Sequence, residues 1–335
     1  MTTTRRQTRL IPVGDTPRPG ERRVPGTNTT ISFNQPPGGL SLLAHSDRLG
    51  PRDYTLALLL DEHRVLTSAQ ITALLFGSPF TCRNRLHVLR RIGFLDSFVP
   101  YRPGQVAPVH WVAGPLAARY AALHLDKRLP SPKMLRERQD GIVATPQLEH
   151  LVGGNQFFID LLTYTRTHPG TRLLRWWSAG HASRAFGGRV RPDGYGVWTD
   201  GHRTDGQRQV SFLVEHDNNS ETLGRLAAKL TPYGRLRGEG GPGGPVLFWL
   251  PTAAREANLH QRLAGVNLGG LIVATAARDS VAQAGLGPAD AVWRQVGNGR
   301  HRRALSDLPS VTGDTTGLNP PPPTAEDDPL RLLTG

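Results

Sequence analysis

Cysteine is nearly missing from this chain of 335 residues, where Cys82 stands alone. A disulfide framework and a cysteine-built zinc site are both excluded, and a reducing, cytoplasmic compartment is the simplest expectation. Lysine is almost as rare. Lys127, Lys133 and Lys229 are the only three among 40 basic residues, so codon usage favours arginine throughout. No apolar run approaches the roughly 18 residues of a membrane span. The N-terminal stretch MTTTRRQTRLIPVGDTPRPGERR is basic but lacks the apolar segment of a secretory signal. The glycine-rich GEGGPGGP at 238–245 has neither the lysine nor the serine or threonine of a phosphate-binding P-loop and reads as a flexible loop. His260 and His301 have no partners at metal-ligand spacing.

What the chain does carry is positive charge, a formal +13 with a pI near 10.9. That balance points to a polyanion, with double-stranded DNA as the first candidate. Residues 1–140 hold 20 basic and 10 acidic residues, 141–304 hold 19 and 12, and 305–335 hold 1 and 5. The first part is therefore the expected anion-facing surface. Residues 1–50, rich in Pro, Gly, Thr and Arg, read as a disordered basic arm, and 305–335, with NPPPPTAEDDP, as a disordered acidic tail. Residues 129–144 read as a linker.

Between arm and linker, 51–128 read as three helices and a hairpin. RDYTLALLLDEHR has helical apolar spacing. Thr67 and Gln70 form a capping box before a second helix that Gly77 ends. In TCRNRLHVLRRIGFLD, Leu86, Leu89 and Ile92 share one face and the arginines lie largely off it. GFLDSFVPYRPGQVAPVHWVAG alternates around a Pro-Gly turn. This is the order of a winged helix-turn-helix. Its recognition helix would offer Thr81, Arg83, Asn84, Arg85 and Arg90 to phosphates and base edges, with Tyr101 and Arg102 on the wing. A fold of this kind used for protein pairing, with its arginines in solvent, is the competing reading.

From 145 to 304 the pattern is α-β-β-β-α-β-α-β, a mixed sheet flanked by helices. Thr145 is the expected N-cap of the first helix, and Asn218 to Ser220 supply cap candidates for the helix that follows FLVEHD. The pair WW at 176–177 is expected in the core, although a tryptophan can also stack on a base.

That order, with acids at these places, resembles the restriction-endonuclease-like PD-(D/E)xK fold over about residues 145–275. RPDG matches the family's Pro-Asp pair with Asp193. VEHD matches its Glu-x-Lys with Glu215 but has Asp217 where lysine stands in the family. Members of this group can carry the lysine on the next helix, where Lys229 lies, and an acid of the first helix matches Glu149. The resemblance implies Asp193, Glu215 and Lys229 as catalytic residues. It also implies Glu149, Asp193, Glu215 and Asp217 as oxygen ligands for Mg²⁺ or Mn²⁺, which would polarise the phosphate and activate water. The same residues have structural readings: Asp193 as a turn residue, Asp217 as a helix cap, Lys229 as a solvated helix lysine and Glu149 as a first-turn acid.

Over about residues 52–280 the chain is similar to the replication-relaxation family of actinobacterial proteins. LEHLVGGNQFFIDLL, RPDGYG and FLVEHDNNSETLGRLAAKLTPY carry this likeness. It implies a role in replication or conjugal mobilisation of plasmids and integrative elements. Three functions are consistent with it: a DNA-binding factor, a metal-dependent nuclease, or a non-catalytic adaptor that recruits a relaxase or replication initiator through a decayed nuclease fold.

Overall fold

Prolines and short polar caps start most of the helices. This computed structural model describes residues 19–34, 41–201, 208–310 and 318–333. After two short strands, β1 (Glu21–Arg23) and β2 (Thr30–Ser32), come α1 (Pro51–His63), β3 (Leu66–Thr67), α2 (Ser68–Leu75) and α3 (Pro79–Arg91). Then follow β4 (Leu95–Phe98), β5 (His110–Ala113), α4 (Pro115–His124) and α5 (Pro132–Val143). Helices α1, α3, α4 and α5 each begin on a proline, whose missing N–H costs nothing in the first turn. Helix α2 has the reciprocal capping box expected from sequence: Gln70 N–H donates to Thr67 Oγ1 at 3.2 Å, and Thr67 N–H donates to Gln70 Oε1 at 3.0 Å. Leu86 and Leu89 of α3 are fully buried, each contributing about 2 kcal/mol.

The second half contains α6 (Leu148–Thr167), β6 (Thr171–Ser178), α7 (Ala179–Ala185), β7 (Gly194–Asp200), β8 (Arg208–His216), α8 (Leu223–Ala228) and α9 (Leu230–Gly238). It closes with β9 (Val246–Leu250), α10 (Ala253–Leu263), β10 (Val273–Ala277), α11 (Arg278–Gln283), β11 (Trp293–Gln295) and β12 (Arg302–Arg303). The molecule is thus mixed α+β with two sheets among the described residues. One sheet has the order β1-β2-β4-β5-β3 and is antiparallel; the other has the order β12-β11-β10-β9-β8-β7-β6, with β8, β9 and β10 parallel.

Helix α6 lies directly on the larger sheet. Phe158 stacks on Trp176 at 5.3 Å between ring centres, and Phe157 meets Trp249 edge-on at 5.5 Å. The approach depends on glycine, since a Cβ on Gly194 would stand 2.4 Å from the Phe158 ring. The two halves pack against each other. The His63 ring of α1 stacks on Trp176 at 3.6 Å, Ser178 N–H donates to Glu62 at 2.9 Å, and Gln70 Nε2 donates to the Val152 carbonyl at 2.9 Å.

Several expectations are corrected. Within the arm of 1–50, residues 19–34 form the β1–β2 hairpin, which extends the smaller sheet by pairing β2 with β4; the arm's residues 1–18 and 35–40 lie outside the described residues. The linker 129–144 is largely helix α5, whose Leu135 and Ile142 are buried. Its Gln139 donates to the buried Asp96 at 2.6 Å. In the tail of 305–335, residues 318–333 are docked: Asp327 forms a two-point ion pair with Arg175 at 2.8 Å, and Leu330 and Leu333 pack on the core. A buried arginine needs such a partner, which explains why an acidic segment folds back. Helix α6 begins at Leu148 rather than Thr145, and Thr222, not Asn218 to Ser220, caps α8.

Candidate active site and nucleic-acid interface

Strands β7 and β8 are antiparallel, with Gly194 opposite Val214. This register brings Asp193, just before β7, beside the end of β8. His216 N–H donates to Asp193 Oδ2 at 2.7 Å, and His150 Nε2 of α6 pairs with Asp193 Oδ1 at 2.7 Å. Glu215 ends the apolar run of β8 as a buried carboxylate. Lys229 Nζ, between α8 and α9, donates to its Oε2 at 2.9 Å, and Tyr233 OH donates to its Oε1. Lys229 also pairs with Glu221 at 2.9 Å. The structure therefore brings Asp193, Glu215 and Lys229 into one cluster. Its further members, His150, His216 and Tyr233, escaped the sequence reading. Tyr233 had a signal, lying four residues after Lys229 on the same helical face; His150 had none, since nothing local separates it from Glu149.

Electrostatics sorts these groups. Burial, reinforced by the Asp193 charge, raises Glu215 to about 7, while Lys229 and Tyr233 oppose the rise. Burial works against the Lys229 cation, but Glu215, Glu221 and Asp193 together raise it above its usual range. Both partners are raised, which favours the neutral form of Glu215 and the charged form of Lys229, because Glu215 is enclosed and faces another acid, whereas Lys229 is one-third exposed among three carboxylates. Burial works against the His150 cation too, yet its bond to Asp193 raises it. Burial and Arg278 lower His216 to about 4. A Cβ on Gly153 would lie 2.2 Å from His216 Nε2, so α6 comes this close only through glycine.

Two residues expected here stand elsewhere. Glu149 turns out to Arg102 of the 99–109 loop, because the one-residue step to His150 rotates the side chain about 100° around the helix. Asp217 is buried, paired with Arg255 of α10, and accepts from Asn219 N–H at 2.9 Å. A divalent cation needs several free oxygens. Both oxygens of Asp193 and of Glu215 are engaged by side chains and backbone, and among the described residues no three His, Cys, Asp or Glu side chains converge as a metal-binding group. To take Mg²⁺ or Mn²⁺, these carboxylates would have to release partners that they hold here.

Helix α3 has a clean division of faces. Cys82, Leu86 and Leu89 are buried, while Thr81, Arg83, Asn84, His87 and Arg91 are exposed. Arg90 is half-buried and reaches Ser97 Oγ at 3.4 Å. Arg85 is turned inward, its Nε donating to the buried Asp53 at 2.9 Å. Arg102 is held by Glu149. Among the arginines expected on this surface, Arg83 is thus the fully exposed one.

The model of a family described as replication-relaxation matches residues 58–244. No curated protein and no solved structure matches the chain. No helix among the described residues is long and apolar enough to cross a membrane.

Proposed function

From membership of the replication-relaxation family, to which this chain belongs, we propose that it is a duplex-DNA-binding factor in replication or mobilisation of a plasmid or integrative element. The observation that carries this reading is the exposed face of α3. Thr81, Arg83, Asn84, His87 and Arg91 form one polar, cationic strip in a chain of net charge +13. Such a strip suits major-groove docking, with short residues near base edges and arginine on phosphates. The order α1-β3-α2-α3-β4-β5, with β5 between β3 and β4, supports a winged helix-turn-helix as its scaffold, and the mixed sheet β6 to β10 with helices α6, α8, α9 and α10 supports a nuclease-like second half.

In this reading the cluster of Asp193, His150, Glu215, Lys229 and Tyr233 shapes the second half as a platform, and the protein serves as an adaptor for a relaxase or replication initiator. A nickase using Mg²⁺ or Mn²⁺ is the competing function. It is favoured by one observation, the convergence of Asp193, Glu215 and Lys229.

Duplex binding read by fluorescence anisotropy tests the main proposal. Arg83→Ala should weaken binding and reduce its salt dependence by one phosphate; unchanged binding would refute DNA docking through α3. A plasmid-nicking assay with Mn²⁺ separates the two functions. Cleavage by wild type and not by Glu215→Ala makes the cluster catalytic, whereas a gel shift without cleavage supports the adaptor.

A further inference from the structure

At the junction of α1 and β3, Arg64 holds the backbone at φ +71° and ψ −44°. Val65 N–H closes on the His63 carbonyl at 2.8 Å. This is the positive-φ γ-turn, a rare and strained conformation for a residue with a side chain. Glycine would occupy it without strain, yet arginine stands there. The turn is held from the other half of the molecule. Buried Asn155 of α6 donates Nδ2 to the carbonyls on both sides, Val65 at 3.0 Å and His63 at 3.4 Å. The strain is thus maintained by a dedicated side chain.

The guanidinium presented this way is half-buried and forms no hydrogen bond or ion pair with any described residue. Its donors are not among the buried unpaired atoms, so the half-buried side chain offers an unpaired guanidinium at the surface. Its charged surroundings are cationic. Burial depresses Arg64 from the usual arginine range, and Arg138 and Arg191 add like-charge repulsion. Arg138 is partly neutralised by Asp61, at 2.9 Å, but Asp61 is shared with Lys127, also at 2.9 Å. Arg191 is exposed and likewise has no partner among the described residues. Arg191 lies two residues before Asp193, and Asn155 lies five residues after His150. The Asn155 bonds place Arg64 at the seam between the half that bears α3 and helix α6, and Arg191 stands on the segment from α7 that leads to Asp193.

We propose that Arg64 and Arg191 form a phosphate-binding site at this seam, which takes a backbone phosphate of duplex DNA. The inference rests on the reading that the chain binds DNA, and adds a second contact away from α3. A phosphodiester oxygen would satisfy the unpaired donors and relieve the repulsion among the arginines.

Arg64→Gly tests it, because glycine removes the charge and accepts the turn. The variant should melt at or above the wild-type temperature, yet bind a labelled duplex about tenfold more weakly. The slope of log affinity against log salt should fall by about 0.9. Arg191→Ala should show the same loss without the gain in melting temperature. Unchanged affinity and slope in both variants, with Arg83→Ala still weakened, would overturn this site and leave DNA binding through α3 intact. No loss in any of the three would overturn both this site and docking through α3, whereas no duplex binding by wild type would refute the DNA-binding reading itself. If inorganic phosphate raises the melting temperature of wild type and not of Arg64→Gly, while duplex binding by Arg64→Gly is unchanged, the site takes free phosphate and the DNA assignment is overturned.

Discussion

Replacing Glu215 with glutamine should flatten part of the pH dependence of stability. The folded protein holds the Glu215 proton more tightly than the unfolded chain does, because the carboxyl is buried and faces Asp193; its value rises from 4.5 to about 7. Between those pH values the folded state carries more protons on this group than the unfolded state. Stability from this group is fully present below about 4.5 and is lost as pH rises through about 7. At roughly 1.4 kcal/mol for each tenfold change in proton affinity, the loss is bounded at about 3 kcal/mol. Glutamine has no proton to lose in this range, and Lys229 keeps Glu221 as a partner at 2.9 Å. Urea unfolding of both proteins at pH 5 and pH 8 measures the effect. His63 and His216, both lowered to about 4 by burial, titrate in both proteins and largely cancel in the comparison. Wild type should lose about 1–3 kcal/mol relative to Glu215→Gln across this interval. Parallel pH profiles would refute the assignment of Glu215 as an enclosed acid in competition with Asp193.

Three further outcomes are expected. Arg85→Ala should cost about 1–3 kcal/mol in urea unfolding, because buried Asp53 loses its partner, with a smaller effect on DNA affinity than Arg83→Ala in the anisotropy assay. Asp327→Ala strands the buried Arg175 and should lower stability by roughly 3–5 kcal/mol, visible as an earlier denaturant midpoint; an unchanged midpoint would show that the C-terminal segment is not a structural strap. Gly153→Ala places a methyl against His216 and should cost about 1–3 kcal/mol in calorimetric or chemical unfolding.

The features that sequence determined are those set by neighbours in the chain. The Thr67–Gln70 box, the proline helix starts, the shared face of Leu86 and Leu89 and most of the strand-helix order of the second half follow from spacings of a few residues, where periodicity and capping act, although helix α7 between β6 and β7 lies outside the expected order. The grouping of Asp193, Glu215 and Lys229 was legible through the likeness of RPDG and VEHD to a known pattern. Tertiary structure alone decided which side chains those residues meet. His150 rather than Glu149 faces Asp193 because packing of α6 on β7 sets the rotation of that helix. Asp217 is committed to Arg255, Arg85 to Asp53, and Arg175 to Asp327, across separations of 38, 32 and 152 residues. The β1–β2 hairpin and the docked C-terminal segment have compositions that read as disorder, and they are ordered by partners that the rest of the fold provides. A charge carries no local sign of its partner, since Coulomb attraction depends on distance in space, and only the packed chain sets that distance.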